Sequence, residues 1–188
     1  MKFINKHKSP NYNVRKINSS IKYIIIHYTA MRSDNEALNH LCNKDSKVSA
    51  HFFINKMGKI FNLVNLEFRA WHAGESYWKR EKDINSYSIG IEIDNSGHLL
   101  NYEEYTKIQI KSLNKLLTFL KKKFNIDKLS ILGHSDVAPY RKIDPGEKFP
   151  WKAFFKNDVV LLPKKKSVKK SLKIEKFLIR RKLKSKKL

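Results

Sequence analysis

A single cysteine, Cys42, stands in 188 residues, so no disulfide can form within the chain and a reducing compartment is the simpler setting. Long apolar runs are missing as well. Stretches such as Tyr23–Ile26 and Val159–Leu162 fall far short of the roughly 20 apolar residues that a bilayer-spanning helix needs. The opening MKFINKHKSPNYNVRK is basic but contains no apolar segment of signal-peptide type. This predicts a cytoplasmic location, with export or delivery to a cell wall by a non-classical route as the alternative. No internal repeat is present. Acidic residues are scarce: 17 Asp and Glu face 40 Lys and Arg, a net charge of +23. Slightly more than half of that excess sits in residues 163–188, where 11 Lys and 2 Arg stand against Glu175. The shift in composition marks a boundary near Leu162/Pro163.

What remains suits one folded domain with a real core, since 41% of the residues are hydrophobic and 11 Phe, 8 Tyr and 3 Trp are among them. Residues 1–20 are polar and read as an irregular N-terminal extension. Ile21–Tyr28 is a continuous β-branched and aromatic run, a strand buried on both faces with His27 near its end. A short helix is expected over Asn35–Asn43, and Cys42 at its end reads as a small packed side chain. Val48–Asn55 and Lys59–Asn65 read as two strands joined at Met57-Gly58, and Glu67–Trp78 as an aromatic loop. Ser86–Ile93 alternates into a further strand carrying Glu92. Asn101–Phe124 is the clearest helix: Tyr105, Ile108, Leu113, Leu116, Leu117, Leu120 and Phe124 recur on one face. Asn101 is its expected cap, with Glu104 three residues on. Leu129–His134 reads as a last strand. The order predicts an α/β domain with a central mixed sheet flanked by helices over residues 21–162.

Chemistry concentrates in Gly133–Trp151, GHSDVAPYRKIDPGEKFPW. Pro139, Pro145 and Gly146 bend this loop so that His134 and Asp144 can face one point. With His27 from another strand end, two imidazoles and a carboxylate make a three-ligand zinc site that leaves one position open, the arrangement of a catalytic centre. Ligands gather beyond the carboxyl ends of strands in open α/β sheets. Glu92 is then the carboxylate left over to move a proton, and Lys142 the cation beside a developing oxyanion. The sum is metal-assisted hydrolysis of an amide or ester. His7, His40 and His98 lie in polar surroundings and read as ordinary surface histidines.

These residues also carry a resemblance. IIIHYTA around His27, Ser49-Ala50-His51-Phe52, Trp71-His72-Ala73-Gly74, SIGIE ending at Glu92, and GHSDVAPYRKIDPG followed by Phe149-Pro150-Trp151 resemble the zinc-dependent N-acetylmuramoyl-L-alanine amidases of the amidase-2 family. That family is related to the peptidoglycan recognition proteins. The likeness covers roughly residues 21–155. It implies hydrolysis of the amide between the lactyl group of N-acetylmuramic acid and L-Ala of the stem peptide, in peptidoglycan or in anhydro-muropeptides. It implies one zinc held by His27, His134 and Asp144, with Glu92 as catalytic glutamate and Lys142 stabilising the tetrahedral intermediate. His51 and His72 match positions beside the cleft. His51 reads equally as a packed strand residue, and Trp71 as a substrate contact or a hydrophobic anchor. Arg141, Arg69 and Arg80 are candidates for the stem-peptide carboxylates, with a solvated surface charge as the alternative for each.

Two other function classes remain in view: a peptidoglycan-binding module without turnover, and a basic nucleic-acid-binding protein. Every expected catalytic position is filled, which argues against the first. The Lys-rich tail at 163–188 has no aromatic stacking platform, so no specific nucleic-acid contact is expected. Ser171, Ile174, Phe177, Leu178 and Leu183 can line one face of a basic helix suited to an anionic membrane or polyanion; a solubilising, disordered tail is the alternative.

Overall fold

The computed structural model describes residues 1–160, so the expectations for the tail at 163–188 lie outside the described residues. The chain runs β1 (Tyr12–Val14), β2 (Tyr23–Tyr28), α1 (Asp34–Cys42), β3 (Phe52–Ile54), β4 (Ile60–Asn62), β5 (Phe68–Ala70), α2 (Ile84–Tyr87), β6 (Ser88–Ile93), α3 (Lys107–Phe124), β7 (Ile131–Gly133), α4 (His134–Val137) and α5 (Trp151–Lys156). Five strands form one sheet in the order β4-β3-β6-β2-β7. The β3–β6, β6–β2 and β2–β7 pairs are parallel and β4 is antiparallel to β3, so the sheet is mixed as expected.

Alternation along the strands divides the molecule. Ile24, Ile26, Ile89, Ile91 and Ile93 turn to one face, where Leu113, Leu116, Leu117 and Leu120 of α3 cover them. Ile25 and Leu132 turn to the other, with Ala73, Ile84 and Val137, while Phe53 meets Ala37, Leu38 and Leu41 of α1. His27 shares its face with Ile25, and Glu92 shares its face with Ser88 and Gly90. The polar residues of β2 and β6 therefore lie opposite the α3 core.

The long helix starts later than its periodicity suggests. Thr106, not Asn101, is the N-cap: its Oγ1 accepts from Gln109 N and Gln109 Oε1 accepts from Thr106 N. Residues 101–105 are spent otherwise. Asn95 Nδ2 donates to Glu103 O, and the hydroxyls of Tyr102 and Tyr105 both donate to Pro145 O. Tyr105 precedes the helix, and Ile108 is half exposed instead of facing the core.

The first 20 residues engage the domain. Ile4 bridges to Phe61, and β1 pairs antiparallel with β5 in a separate two-stranded sheet. Arg15 reaches inward and donates to the carbonyls of Leu66, Asn85, Ser86 and Ser88. Three-residue strands such as β1 and β5 carry too little periodic signal to be read without their partners.

Candidate active site

Strand register builds the centre. In the parallel β2–β6 pair His27 lies directly beside Glu92. On the other side Ile26 lies beside Gly133, so His134, the next residue, emerges level with His27. Three adjacent strand ends thus deliver two imidazoles and a carboxylate to one point.

Asp144 arrives by a folded-back loop. His134 opens the short α4, and Lys142 N and Arg141 N both donate to Ala138 O. Ser135 N then donates to Asp144 O at 2.9 Å, closing the loop on itself. Pro145 packs on Gly133 so closely that a Cβ there would meet its Cδ at 2.7 Å. The two tyrosine hydroxyls on Pro145 O hold the loop from the far side.

The result is a triangle. His27 Nδ1 lies 3.0 Å from His134 Nδ1 and 3.0 Å from Asp144 Oδ2, and His134 Nδ1 lies 3.1 Å from the same oxygen. All three residues are buried, and among the described residues they form the one group of His, Cys, Asp and Glu close enough to share an ion. His134 Nε2 donates to Ala73 O at 3.0 Å, which leaves its Nδ1 lone pair turned inward. Burial first, and then His134, push His27 down to about 4, so it is neutral at pH 7, the form that binds metals. Burial works to raise Asp144, but its contacts with His134 and His27 outweigh that and hold it well below the usual carboxylate range. Two nitrogen lone pairs and a carboxylate oxygen at these distances fit a divalent cation of zinc type.

Glu92 stands at the same cleft without a partner: its Oε2 is buried and accepts no hydrogen bond among the described residues. Burial, and then the Asp144 carboxylate, raise its pKa well above the ordinary glutamate value, while Lys142 opposes the rise. Lys142, Trp71 and His72 line the same cleft, about 210 Å³ in volume, and so does the exposed His40.

Other residues fall elsewhere. His51 is wholly buried and takes no part in the cleft: Gly90 N donates to its Nδ1, and its Nε2 reaches Phe68 O and Arg15. Of the two readings open for His51, these contacts and its burial favour the packed residue over a substrate contact. His72 is also more enclosed than its loop position suggests, with Nδ1 3.1 Å from His27 Nε2 and Nε2 3.1 Å from Ser88 Oγ. Arg141 donates through Nη2 to Ala73 O and Glu75 O and lines another groove of about 820 Å³ with Trp78 and Tyr140, not the metal cleft. Arg69 is engaged by Asp83 at 2.7 Å. Trp71 Nε1 donates to Asn13 Oδ1.

Several positioning residues escape a reading of the sequence. Asn85 Oδ1 accepts from His72 N and Ala73 N, fixing the backbone that in turn holds His134. His98 is no ordinary surface histidine: it lies 2.9 Å from Tyr28 Oη and 2.8 Å from Glu147 Oε2 and stacks on Tyr102. One signal was available. Ser88, Gly90 and Glu92 recur at every second position of β6, so they share one face of the strand.

Known proteins are similar to this chain in sequence and fold. The sequence profile of the amidase-2 family, N-acetylmuramoyl-L-alanine amidase, matches residues 17–147. The chain is 31% identical to 1,6-anhydro-N-acetylmuramyl-L-alanine amidase AmpD of Haemophilus influenzae over 165 residues, 78% of this chain and 88% of that protein. It is 34% identical to N-acetylmuramoyl-L-alanine amidase AmiD of Escherichia coli over 70% of this chain, but spans only about half of AmiD. The structure of E. coli AmiD in complex with anhydro-N-acetylmuramic acid-L-Ala-D-gamma-Glu-L-Lys superposes with a TM-score of 0.72 at 30% identity, covering 80% of this chain and 63% of that one. An AmpD crystal structure superposes with the same score at 26% identity, covering 85% and 94%. A mixed sheet with these strand-end residues and this similarity across most of the chain lead to one conclusion: the protein belongs to the amidase-2 family and is an N-acetylmuramoyl-L-alanine amidase.

Proposed function

We propose that this amidase is zinc-dependent, that His27, His134 and Asp144 hold the metal, and that its substrates are muropeptides carrying a 1,6-anhydro sugar. The observation that carries the reading is the triangle of lone-pair donors at 3.0–3.1 Å beside a buried, unpartnered carboxylate. A zinc held there supplies Lewis acidity, polarising a carbonyl and lowering the pKa of water to about 7. Glu92 takes the proton of the attacking water and passes it to the departing amine of L-Ala. Its raised pKa makes it a stronger base toward the attacking water than an ordinary glutamate. Lys142 sets a cation against the oxyanion of the tetrahedral intermediate. Trp71 lines the cleft and offers an apolar face to the substrate. Arg141 remains a candidate for a stem-peptide carboxylate through the guanidinium nitrogens not spent on Ala73 and Glu75.

The anhydro preference follows the likeness to an AmpD enzyme that this chain matches over 88% of that protein's length. Such a substrate is a soluble turnover fragment, which suits a cytoplasmic recycling role. No helix among the described residues is long and apolar enough to cross a membrane. Residues 21–162 form the catalytic domain and 1–20 an extension packed on it. Residues 163–188 serve as a separate basic tail toward an anionic membrane or polyanion.

Mass spectrometry of reaction products tests the reading. The full chain receives a soluble anhydro-muropeptide or intact peptidoglycan, each with and without a zinc chelator. Free stem peptide from the anhydro-muropeptide, abolished by the chelator and restored by zinc, is the expected result. Release that ignores the chelator removes the metal from the mechanism, and faster release from intact wall replaces recycling with wall cleavage.

A further inference from the structure

We propose that His72 and Ser88 are positioning residues of the metal centre: a directed chain of hydrogen bonds ending on the Ile84 carbonyl holds His27 as the tautomer that ligates through Nδ1. The inference rests on the metal site proposed above, and deepens it.

Direction is set at the far end. Ser88 Oγ lies 2.6 Å from Ile84 O, and a carbonyl can only accept, so the single hydroxyl proton of Ser88 is committed there. Ser88 Oγ must then accept from His72 Nε2 at 3.1 Å, which places the His72 proton on Nε2 and leaves Nδ1 bare. His72 Nδ1 in turn accepts from His27 Nε2 at 3.1 Å. The His27 proton is thereby held on Nε2, and its Nδ1 lone pair faces His134 and Asp144. Running the chain the other way needs the Ser88 proton to turn to His72, leaving a hydroxyl oxygen and a carbonyl oxygen in contact at 2.6 Å with no proton between them. It would also put a proton on His27 Nδ1, where the metal belongs.

Packing fixes the position of the His72 ring. His72 lies against the bare Cα of Gly90, where a Cβ would come within 2.3–2.7 Å of the imidazole ring. Asn85 grips the His72 backbone through its N–H. Ser88, Gly90 and Glu92 alternate on one face of β6, so this strand supplies the relay's terminus, the platform for its ring and the catalytic carboxylate. The two ligand histidines are supported differently. His134 gives its second proton to a backbone carbonyl, whereas His27 gives it to a neutral imidazole. A neutral imidazole pulls less on the His27 proton than a carboxylate would, so His27 stays a weaker donor and leaves a bound metal more acidic.

The test reads tautomers and metal affinity, not turnover. Imidazole nitrogen-15 NMR of the full chain, metal-free and zinc-loaded, is expected to show His72 protonated on Nε2 and bare on Nδ1 in both states. Zinc affinity, measured by competition with a chromophoric chelator, is expected to fall roughly 10- to 100-fold in Ser88→Ala. In Gly90→Ala, which keeps every polar group but displaces the ring, a loss of the same size is expected. A wild-type His72 protonated on Nδ1 overturns the relay. So does a folded Ser88→Ala protein with unchanged zinc affinity. If Ser88→Ala does not fold, the wild-type tautomer decides alone. A wild-type protein that binds no zinc sinks the metal reading, while the metal-free tautomer still judges the relay.

Discussion

At the scale of single residues, burial decides what each titratable group can do. Glu92 and Asp144 are both enclosed carboxyls at one cleft, yet they are driven in opposite directions. Asp144 lies against two imidazoles and is held low, whereas Glu92 Oε2 has no hydrogen-bond partner, and burial with Asp144 nearby raises it. That difference supports the proposed division of labour, with Asp144 as ligand and Glu92 as proton carrier. Glu92→Gln is expected to retain zinc by elemental analysis and to lower kcat by roughly 10²–10⁴-fold. Near-normal turnover by the zinc-loaded variant would remove Glu92 from the chemistry. Lys142→Ala is expected to lower kcat by roughly 10²–10³-fold with metal content unchanged. An effect confined to KM would make it a substrate anchor instead.

At the scale of elements, β6 and the segments stitched to it explain most of the site's rigidity. His51 and Arg15 lie beneath this strand. Burial first, and then the neighbouring guanidinium, push His51 down to about 3, so the folded protein keeps it neutral. An unfolded histidine titrates near 6.5, so between about pH 6.5 and 3 the unfolded state binds the extra proton. Stability from this group is therefore intact above pH 6.5 and drains away as the pH falls toward 3. The slope is about 1.4 kcal/mol per pH unit. Urea unfolding of wild type and His51→Gln at pH 7.5, 5.5 and 4.5 checks it, because His27 and His72 are depressed as well; an equal slope in the two proteins would mean that His51 is solvated. The long helix offers a second measurement. Leu117 is fully enclosed against the sheet, and Leu117→Ala is expected to cost about 2–5 kcal/mol. Thr106→Ala, which removes the observed cap, is expected to cost about 1 kcal/mol, while Asn101→Ala spares the helix.

At the scale of the whole molecule, the densest charge and the candidate active site lie in different parts of the chain. The triangle, the carboxylate and the relay all lie within residues 21–162. Slightly more than half of the net charge of +23 lies in residues 163–188. Deleting that tail is expected to leave release of stem peptide from a soluble fragment within about twofold, and to weaken salt-sensitive retention on anionic vesicles. Loss of activity on the soluble substrate would instead make the tail part of the catalytic unit.

Much of this was legible in the linear chain because a few signals are local. A β-branched run such as Tyr23–Tyr28 has one stable use in a small domain, a doubly covered strand, and alternating Ser88–Ile93 has another. The loop from His134 to Asp144 announced its bend through its prolines and glycine. Those features, with the motif spacing, determined the mixed sheet and the meeting of His27, Glu92, His134 and Asp144 at one cleft. Tertiary structure alone decided the rest. Whether His51 meets substrate or backbone, whether Asn101 or Thr106 caps the helix, and whether Arg141 is free or tied to Ala73 depend on partners far along the chain. The proton on His72 depends on a hydroxyl 16 residues away and the carbonyl it faces. Hydrogen bonds are directional and close over a few ångströms, so which partner wins is settled only when distant strands lie side by side.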